Sequence, residues 1–232
     1  MNVVITGASK GIGRAIAETF AAGGHHLFLC ARGETGLYKT VEELQARYPS
    51  AIIKARPADL SRKEEARAFG TWCLEYAVPD ILVNNAGLFE PGSVYNEPDG
   101  LLESQLQTNL LSAYHLTRTV LPWMMEKKHG HIFNICSIAS LDAYPNGGAY
   151  SISKFALYGF SKNLREEMKP HGIKVTSVHP GAVMTDSWAG FDNSRHRIME
   201  ASDIAQLVMA ASRLSPQACV EDIVIRPQLG DL

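Results

Sequence analysis

The chain has 232 residues, a length that fits one compact domain of the α/β type. Hydrophobic residues make up 46% and charged residues 20%, so the composition supports a large core and argues against disorder. The net charge of −2 argues against a strongly basic surface of the kind that binds nucleic acid or membranes. No stretch approaches the roughly 18 uninterrupted apolar residues of a membrane span, and the first residues lack the charged region and cleavage site of a signal peptide.

The four cysteines are far apart and form no C-x-x-C pair; they are Cys30, Cys73, Cys136 and Cys219. This usage is typical of small buried side chains in a reducing cytosol, and it does not suggest a disulfide framework. Two histidine groups, His25-His26 and His129-x-His131, lack a third ligand at metal-like spacing, so we interpret them as surface-loop residues. The sequence therefore predicts a cytoplasmic protein without a metal site.

Short apolar runs alternate with segments of helical periodicity along the whole chain. The predicted strands are 2–6, 26–30, 51–55, 81–84, 131–136, 173–178 and 223–225. The predicted helices are 11–22, 35–48, 61–77, 101–128, 150–168 and 202–212. Ser61, with Glu64 three residues later, predicts a capping box at the start of the third helix. This alternation implies parallel βαβ units, and hence an α/β fold with a doubly wound sheet of about seven strands in a single domain, 1–232.

A glycine-rich segment joins the first predicted strand to the first predicted helix. It reads Thr6-Gly7-Ala8-Ser9-Lys10-Gly11-Ile12-Gly13, with the spacing G-x-x-x-G-x-G. Glycines let the backbone approach a pyrophosphate, and a helix N-terminus offers free N–H groups and a positive dipole end. A plain packing turn would have the same composition, but the position at the first strand–helix junction favours a nucleotide site.

Seven motifs follow one another along the chain, most of them near the end of a predicted element. They are Thr6-Gly7-x-x-x-Gly11-Ile12-Gly13, Asp59-Leu60, Asn84-Asn85-Ala86-Gly87, Asn109, Ser137, Tyr150-x-x-x-Lys154 and Pro180-Gly181-x-x-x-Thr185. In this order they resemble the short-chain dehydrogenase/reductase family over nearly the whole chain. That resemblance implies a Rossmann-type fold. The stretch Pro180–Thr185 with Trp188, and Ile225-Arg226-Pro227-x-x-Gly230-Asp231, are similar to the sepiapterin-reductase-like branch.

Tyr150 and Lys154 lie four residues apart on a predicted helix and so share a face. A phenol has a pKa near 10, and a neighbouring ammonium favours the phenolate and lowers that pKa. Taken alone, the pair also fits an ordinary surface tyrosine and lysine. Ser137 ends a predicted strand, where its hydroxyl could hold a substrate oxygen. Ser140 and Ser151 compete for this role but do not fit the family's spacing of 13 residues before the tyrosine.

The resemblance implies a catalytic tetrad of Asn109, Ser137, Tyr150 and Lys154. In such a tetrad Tyr150 gives a proton to the carbonyl oxygen, Ser137 hydrogen-bonds to the same oxygen, and Lys154 holds the nicotinamide ribose. Asn109 links Lys154 through water to bulk solvent, and an asparagine within a predicted helix also fits a helix irregularity.

The resemblance also implies a set of cofactor contacts along the carboxyl ends of the strands. They are Gly7, Ser9, Lys10, Gly11, Ile12, Gly13, Asp59, Leu60, Asn84, Ala86, Gly87, Tyr150, Lys154, Pro180, Gly181, Val183 and Thr185. An NAD site places an acidic residue at the end of the second strand, but here Arg32 follows it and the first acidic residue is Glu34. Arg32 and Lys10 fit a 2′-phosphate, so we predict NADP(H) in preference to NAD(H). The alternative is that both are solvated surface cations.

The predicted function is NADPH-dependent carbonyl reduction or the reverse alcohol oxidation, with a sepiapterin- or diketone-type substrate favoured. A 3-oxoacyl-[acyl-carrier-protein] reductase is the alternative within the class. A non-catalytic dinucleotide-binding sensor is disfavoured because Tyr150 and Lys154 are both retained. Segment 186–200, with Trp188 and Phe191, is a candidate substrate lid, and His179 has either a pocket-lining or a structural role.

Two predicted helices carry apolar residues on more than one face, so we expect a homo-oligomer, a dimer or a tetramer, with a homotetramer favoured. These apolar residues are Leu110, Leu111, Tyr114, Leu121, Phe155, Leu157, Phe160 and Leu164.

Overall fold

The computed structural model describes residues 1–185, 188, 190–194 and 196–231. Seven parallel strands form one sheet in the order β3-β2-β1-β4-β5-β6-β7. The strands are β1 (Asn2–Thr6), β2 (His26–Cys30), β3 (Ile52–Ala55), β4 (Ile81–Asn84), β5 (Gly130–Ile135), β6 (Ile173–Pro180) and β7 (Asp222–Ile225). This arrangement confirms the predicted doubly wound α/β fold.

Helices cover both faces of the sheet. They are α1 (Gly11–Ala22), α2 (Glu34–Arg47), α3 (Lys63–Leu74), α4 (Leu101–Leu106), α5 (Ser112–Lys127), α6 (Gly148–Met168) and α7 (Ala201–Ser212). Side chains of α1, α2 and α7 pack into one core with Val3 and Ile5 of β1. Those of α3, α5 and α6 pack into a second core with Val4 of the same strand. Successive residues of β1 thus face opposite layers, which explains why the strands read as continuous apolar runs.

The strand order reverses between β1 and β4, and this switch point fixes where a ligand can bind. In the register of the two strands, Ile5 is opposite Val83. The glycine-rich loop after β1 and the Asn84–Gly87 segment after β4 therefore leave the sheet side by side. The carboxyl ends of β5 and β6 open onto the same edge.

Helix α3 begins two residues later than predicted, at Lys63, and the predicted capping box of Ser61 and Glu64 is wrong. The carboxylate of Asp59 accepts hydrogen bonds from the N–H and the hydroxyl of Ser61, at 3.2 and 2.7 Å. Glu65, rather than Glu64, accepts from the N–H of Asp59 at 2.7 Å. A local Asx turn thus occupies the serine that the sequence pattern assigned to the helix cap.

The predicted helix over 101–128 consists of three pieces. Helix α4 is followed by a π-helix, Gln107–Leu111, and then by α5. Each turn of a π-helix holds an extra residue, and such turns often lie at functional sites. The interruption falls at Asn109, as the asparagine within the helical pattern led us to expect.

Three burial predictions need correction. His131 is not a loop residue: it lies buried in β5, with its Nε2 atom 2.7 Å from the hydroxyl of Thr176. Burial lowers the pKa of His131 to about 3, so the ring is neutral. Cys219 is exposed, unlike the other three cysteines. Leu157 and Leu164 belong to the protein's own core and are not available to a neighbouring subunit.

Within the described ranges, the helices are too short or too polar to cross a bilayer. Among the residues that the structure describes, there is no cluster of three or more histidine, cysteine, aspartate or glutamate side chains that could hold a metal ion.

Candidate active site

The glycine-rich loop connects β1 to α1 at the carboxyl edge of the sheet. Gly7 and Gly11 have φ angles of +64° and +55°, in the left-handed region that favours glycine. A Cβ atom at Gly13 would overlap the carbonyl oxygen of Gly7, so backbone packs directly against backbone there. Helix α1 begins at Gly11 without a side-chain cap from any described residue. Its first N–H groups and positive dipole end are therefore available to an anion, and the loop fits the pyrophosphate of a dinucleotide.

Asn85 joins this loop to the segment after β4. Its side-chain amide donates to the carbonyl oxygens of Thr6 and Gly7, at 2.9 and 3.2 Å. The hydroxyl of Thr6 accepts from the N–H groups of Asn85 and Ala86, both at 2.9 Å. These four contacts hold the two loops together at the switch point. Asn85 belongs to the motif Asn84-Asn85-Ala86-Gly87, but nothing in the sequence pattern predicts that its side chain would bind the glycine-rich loop.

Ser137 and Tyr150 meet beyond the end of β5. The hydroxyl oxygen of Ser137 accepts from the N–H of Ala139 at 3.1 Å, which leaves its own proton free to donate. Tyr150 lies near this serine side chain. Burial raises the pKa of Tyr150 above its ordinary value, and the nearby Ser137 hydroxyl opposes that rise. The phenol therefore holds its proton at neutral pH.

Lys154 follows Tyr150 by one helical turn on α6. Its Nζ atom donates to the carbonyl oxygen of Ile135 at 2.8 Å and lies 5.8 Å from the centre of the Tyr150 ring. Burial of the ammonium lowers the pKa of Lys154 from 10.5 to about 8. We expected Lys154 to lower the pKa of Tyr150, but burial of the phenol dominates and the net direction is upward. Lys154 thus titrates near physiological pH, and Tyr150 does not.

Asn109 lies in the π-helix and faces the lysine from the opposite side of the site. Its Oδ1 atom accepts from the N–H of Leu88 at 2.7 Å, and its Nδ2 atom donates to the carbonyl oxygen of Leu88 at 3.0 Å and to the hydroxyl of Ser153 at 2.8 Å. A Cβ atom at Gly87 would lie 3.4 Å from Asn109 Oδ1 and 3.7 Å from Lys154 Nζ. A Cβ atom at Gly87 would thus contact both the amide and the ammonium, which shows that both groups lie beside Gly87.

The segment after β6 returns to the glycine-rich loop. The N–H of Gly181 donates to the carbonyl oxygen of Ile225 at 2.8 Å, and Val183 is buried and forms a parallel bridge with Met199. A Cβ atom at Gly11 would lie 3.1 Å from the Cγ2 atom of Thr185. Thr185 is therefore placed directly above the N-terminus of α1.

Comparison with known proteins places this geometry in a family. Residues 1–195 match the family model described as short chain dehydrogenase. The sepiapterin reductase of Chlorobaculum tepidum is 34% identical, and the alignment covers 99% of this chain and 97% of that protein. The chain belongs to the short-chain dehydrogenase family. It is therefore an NAD(P)-dependent oxidoreductase that acts on CH–OH groups.

Solved structures support the family membership. A metagenomic short-chain oxidoreductase in complex with NADP is 31% identical, with a TM-score of 0.85 over 98% of this chain and 97% of that one. An alcohol dehydrogenase from the archaeon Thermococcus sibiricus, complexed with 5-hydroxy-NADP, is 27% identical, with a TM-score of 0.89 over 98% of this chain and 96% of that one.

The other residues predicted to contact the cofactor differ in burial and in hydrogen-bond partners. Arg32 and Lys10 are exposed, and Arg32 makes no ion pair with any described residue. Asp59 is engaged with Ser61, as described above, and Leu60 is buried. The amide nitrogen of Asn84 donates to Thr117 and Asn134, at 3.0 and 2.8 Å, so this side chain ties β4 to α5 and β5. Its role toward a cofactor stays a prediction.

The competing serines and His179 have other partners. Ser151 donates to the carbonyl oxygen of Ala139 at 2.8 Å, and Ser140 donates to the carbonyl oxygen of Ser137. His179 is fully buried, with its Nδ1 atom 3.2 Å from the carbonyl oxygen of Ser137, so it has no accessible surface with which to line a pocket. Trp188 and Phe191 pack edge to face with their ring centres 5.3 Å apart. The rest of the candidate lid includes 186, 187, 189 and 195, which lie outside the described residues.

Proposed function

We propose that this short-chain dehydrogenase is an NADPH-dependent carbonyl reductase in which Tyr150 is the proton donor. The observation that carries the proposal is that Ser137, Tyr150 and Lys154 lie close together beyond the carboxyl end of β5, where Ser137 Oγ accepts from Ala139 and buried Lys154 donates to Ile135. Reduction of a carbonyl requires a protonated phenol, and burial raises the pKa of Tyr150 above its ordinary value. The strand order supports the proposal, because it brings the carboxyl end of β5 to the same edge of the sheet as the glycine-rich loop.

When bound, a reduced nicotinamide supplies a hydride to the carbonyl carbon. Ser137 donates a hydrogen bond to the carbonyl oxygen, and Tyr150 transfers its proton to that oxygen as negative charge develops. Lys154, while charged, stabilises the phenolate that remains on Tyr150. Asn109, held by Leu88 and Ser153, provides the polar surface through which Lys154 exchanges protons with water.

The cofactor is held by backbone and by a few side chains. The N-terminus of α1 binds the pyrophosphate, the segment after β4 contacts the adenosine side, and the Pro180–Thr185 segment orients the nicotinamide. Arg32 and Lys10 bind the 2′-phosphate, which a planar guanidinium fork recognises well. The solved relatives described as NADP complexes support this choice of cofactor.

The substrate is a small activated carbonyl compound, and a diketone or a sepiapterin-like side-chain ketone is favoured. The similarity to the sepiapterin reductase of Chlorobaculum tepidum over nearly the full length supports this class. A 3-oxoacyl thioester is the alternative substrate. The whole chain acts as one cytoplasmic dinucleotide-binding and catalytic unit, with 186–200 as its lid, and assembles into a homo-oligomer.

The cofactor assignment is tested by kcat/KM for NADPH and NADH with diacetyl, benzil, sepiapterin and an acetoacetyl thioester. We expect NADPH to be preferred, and we expect Arg32→Asp to weaken NADPH use by a factor on the order of 10² or more, because attraction becomes repulsion. Arg213→Asp is the matched control. Arg213 is exposed and lies near His25, just before β2, and so at the amino edge of the sheet, opposite the proposed cofactor site. Equal or better efficiency of the wild type with NADH would overturn the assignment.

A further inference from the structure

A network of polar side chains, Ser140, His179 and Asp222, extends from Ser137 to β7 at the edge of the sheet. The hydroxyl of Ser140 donates to the carbonyl oxygen of Ser137 and lies 2.7 Å from the Nδ1 atom of His179. The same Nδ1 atom is 3.2 Å from the carbonyl oxygen of Ser137. On the other side of the ring, Nε2 is 3.3 Å from the carboxylate of Asp222 on β7. His179 and Ser140 are both essentially inaccessible to solvent.

Ser140, a member of this hydrogen-bonded network, contacts both backbone polar groups of Ser137. The N–H of Ser137 donates to the Ser140 hydroxyl at 3.4 Å, and the carbonyl oxygen of Ser137 accepts from that hydroxyl. The Nε2 atom of His179 lies against the Asp222 carboxylate, and its Nδ1 atom lies against the Ser140 hydroxyl, so both ring nitrogens have a polar neighbour that fixes the ring plane. Ser140 thus lies between the peptide of Ser137 and a ring nitrogen whose orientation Asp222 fixes.

Two further side chains, both on α6, keep the far end of the network in place. Arg165 is within 3.4 Å of the Asp222 carboxylate, and the hydroxyl of Tyr158 donates to it at 3.4 Å. The ring of Tyr158 also packs edge to face against His179, with ring centres 4.7 Å apart. Helix α6, which carries Tyr150, therefore also carries the groups that orient His179. The positions of Ser137 and Tyr150 thus both depend on α6.

We propose that His179 is a positioning residue for the reaction. Acting through Ser140, it holds the Ser137 peptide so that the Ser137 hydroxyl points at Tyr150 and at the substrate oxygen. The ring touches neither substrate nor cofactor. The inference rests on the proposed function, in which Ser137 binds the carbonyl oxygen.

Two substitutions separate the two sides of the ring. In His179→Asn the side-chain amide overlays the Nδ1 position and keeps a polar contact with Ser140, whereas in His179→Gln it reaches the Nε2 position and keeps the contact with Asp222. We expect His179→Asn to stay within a few-fold of the wild-type kcat and His179→Gln to lose about 10-fold or more, because a small misplacement of a catalytic group is costly. KM for NADPH is expected to be unchanged in both. His131→Asn, at the other buried strand histidine, is the control and should keep its kcat.

The deciding measurement repeats these substitutions with Ser137→Ala already present. We expect Ser137→Ala alone to lose about 10² or more in kcat, and the effect of His179→Gln to disappear in that background, because both changes remove the same contribution. An undiminished effect of His179→Gln, or equal losses for Asn and Gln, would show a merely structural role and overturn the inference. Full activity of Ser137→Ala would instead contradict the proposed function, and the positioning role with it.

Ser140→Ala keeps the inference testable if the His179 variants fail to fold. This change removes the link and leaves the ring in place. It is expected to reduce kcat about 10-fold with Ser137 present and to have no effect on kcat with Ser137→Ala. A Ser140→Ala enzyme with wild-type kcat would also refute the positioning role.

Discussion

The buried ammonium of Lys154 is expected to support catalysis but to destabilise the folded protein. The substitution Lys154→Met tests both effects. The side chain is buried, and its pKa is lowered from 10.5 to about 8. Such a change corresponds to about 3 kcal/mol of destabilisation of the folded protein wherever the ammonium is charged in both states. Methionine has a similar length and no charge, so it removes that cost. It also leaves the carbonyl oxygen of Ile135 without its donor, which costs roughly 1–2 kcal/mol.

The net expectation is that Lys154→Met unfolds with a free energy about 1–2 kcal/mol higher than the wild type at pH 7. The sign reverses at alkaline pH. Between about pH 8 and 10.5 the unfolded wild type binds a proton that the native state does not, so wild-type stability rises with pH. The advantage of the variant should therefore shrink by roughly 2–3 kcal/mol between pH 7 and 10, and the wild type should become the more stable protein.

Urea unfolding at fixed protein concentration, at pH 7 and at pH 10, measures these differences. Lys162→Met is the matched control, because Lys162 lies on the same helix with an exposed side chain, and its effect should not depend on pH. The variant Lys154→Met is also expected to lose carbonyl reduction. A Lys154→Met protein that is less stable than the wild type by the same amount at both pH values would refute the reasoning from burial.

Two further predictions concern the wild type. The kcat/KM for carbonyl reduction should fall as pH rises through about 8, because Lys154 loses its charge there while Tyr150, whose pKa is raised, keeps its proton; a profile that stays flat to pH 10 would contradict this. Light scattering at micromolar concentration should return a dimer or tetramer, because Trp123, Ile152 and Phe155 leave apolar area exposed on α5 and α6, and a monomer mass would contradict it.

Most of the fold could be predicted because the hydrophobic pattern is unambiguous. Strands buried on both faces have continuous apolar sequences, and each strand except the last is followed by a helix with one apolar face. This alternation predicts the parallel sheet. Helix ends were harder, since they depend on single hydrogen bonds. Ser61 was assigned to a helix cap, but Asp59 binds it in a turn, and no periodic signal distinguishes the two outcomes.

The candidate site was predicted from motifs, whereas its electrostatics required the three-dimensional structure. The four-residue spacing put Lys154 beside Tyr150 correctly, but the spacing carries no information on burial, which raises the pKa of the phenol and lowers that of the lysine. Supporting contacts were missed for the same reason. Asn85, Ser153 and His179 act through partners that are distant in sequence, and only the fold brings those partners together.

The most direct test is the comparison of Tyr150→Phe with the wild type in NADPH-dependent reduction of a diketone. Phenylalanine keeps the ring and removes the hydroxyl assigned as the proton donor. We predict a loss of about 10²–10⁴ or more in kcat with NADPH binding nearly unchanged, because only the proton donor has been removed. A Tyr150→Phe enzyme that retains more than about a tenth of the wild-type kcat would contradict the assignment of this site as the catalytic centre.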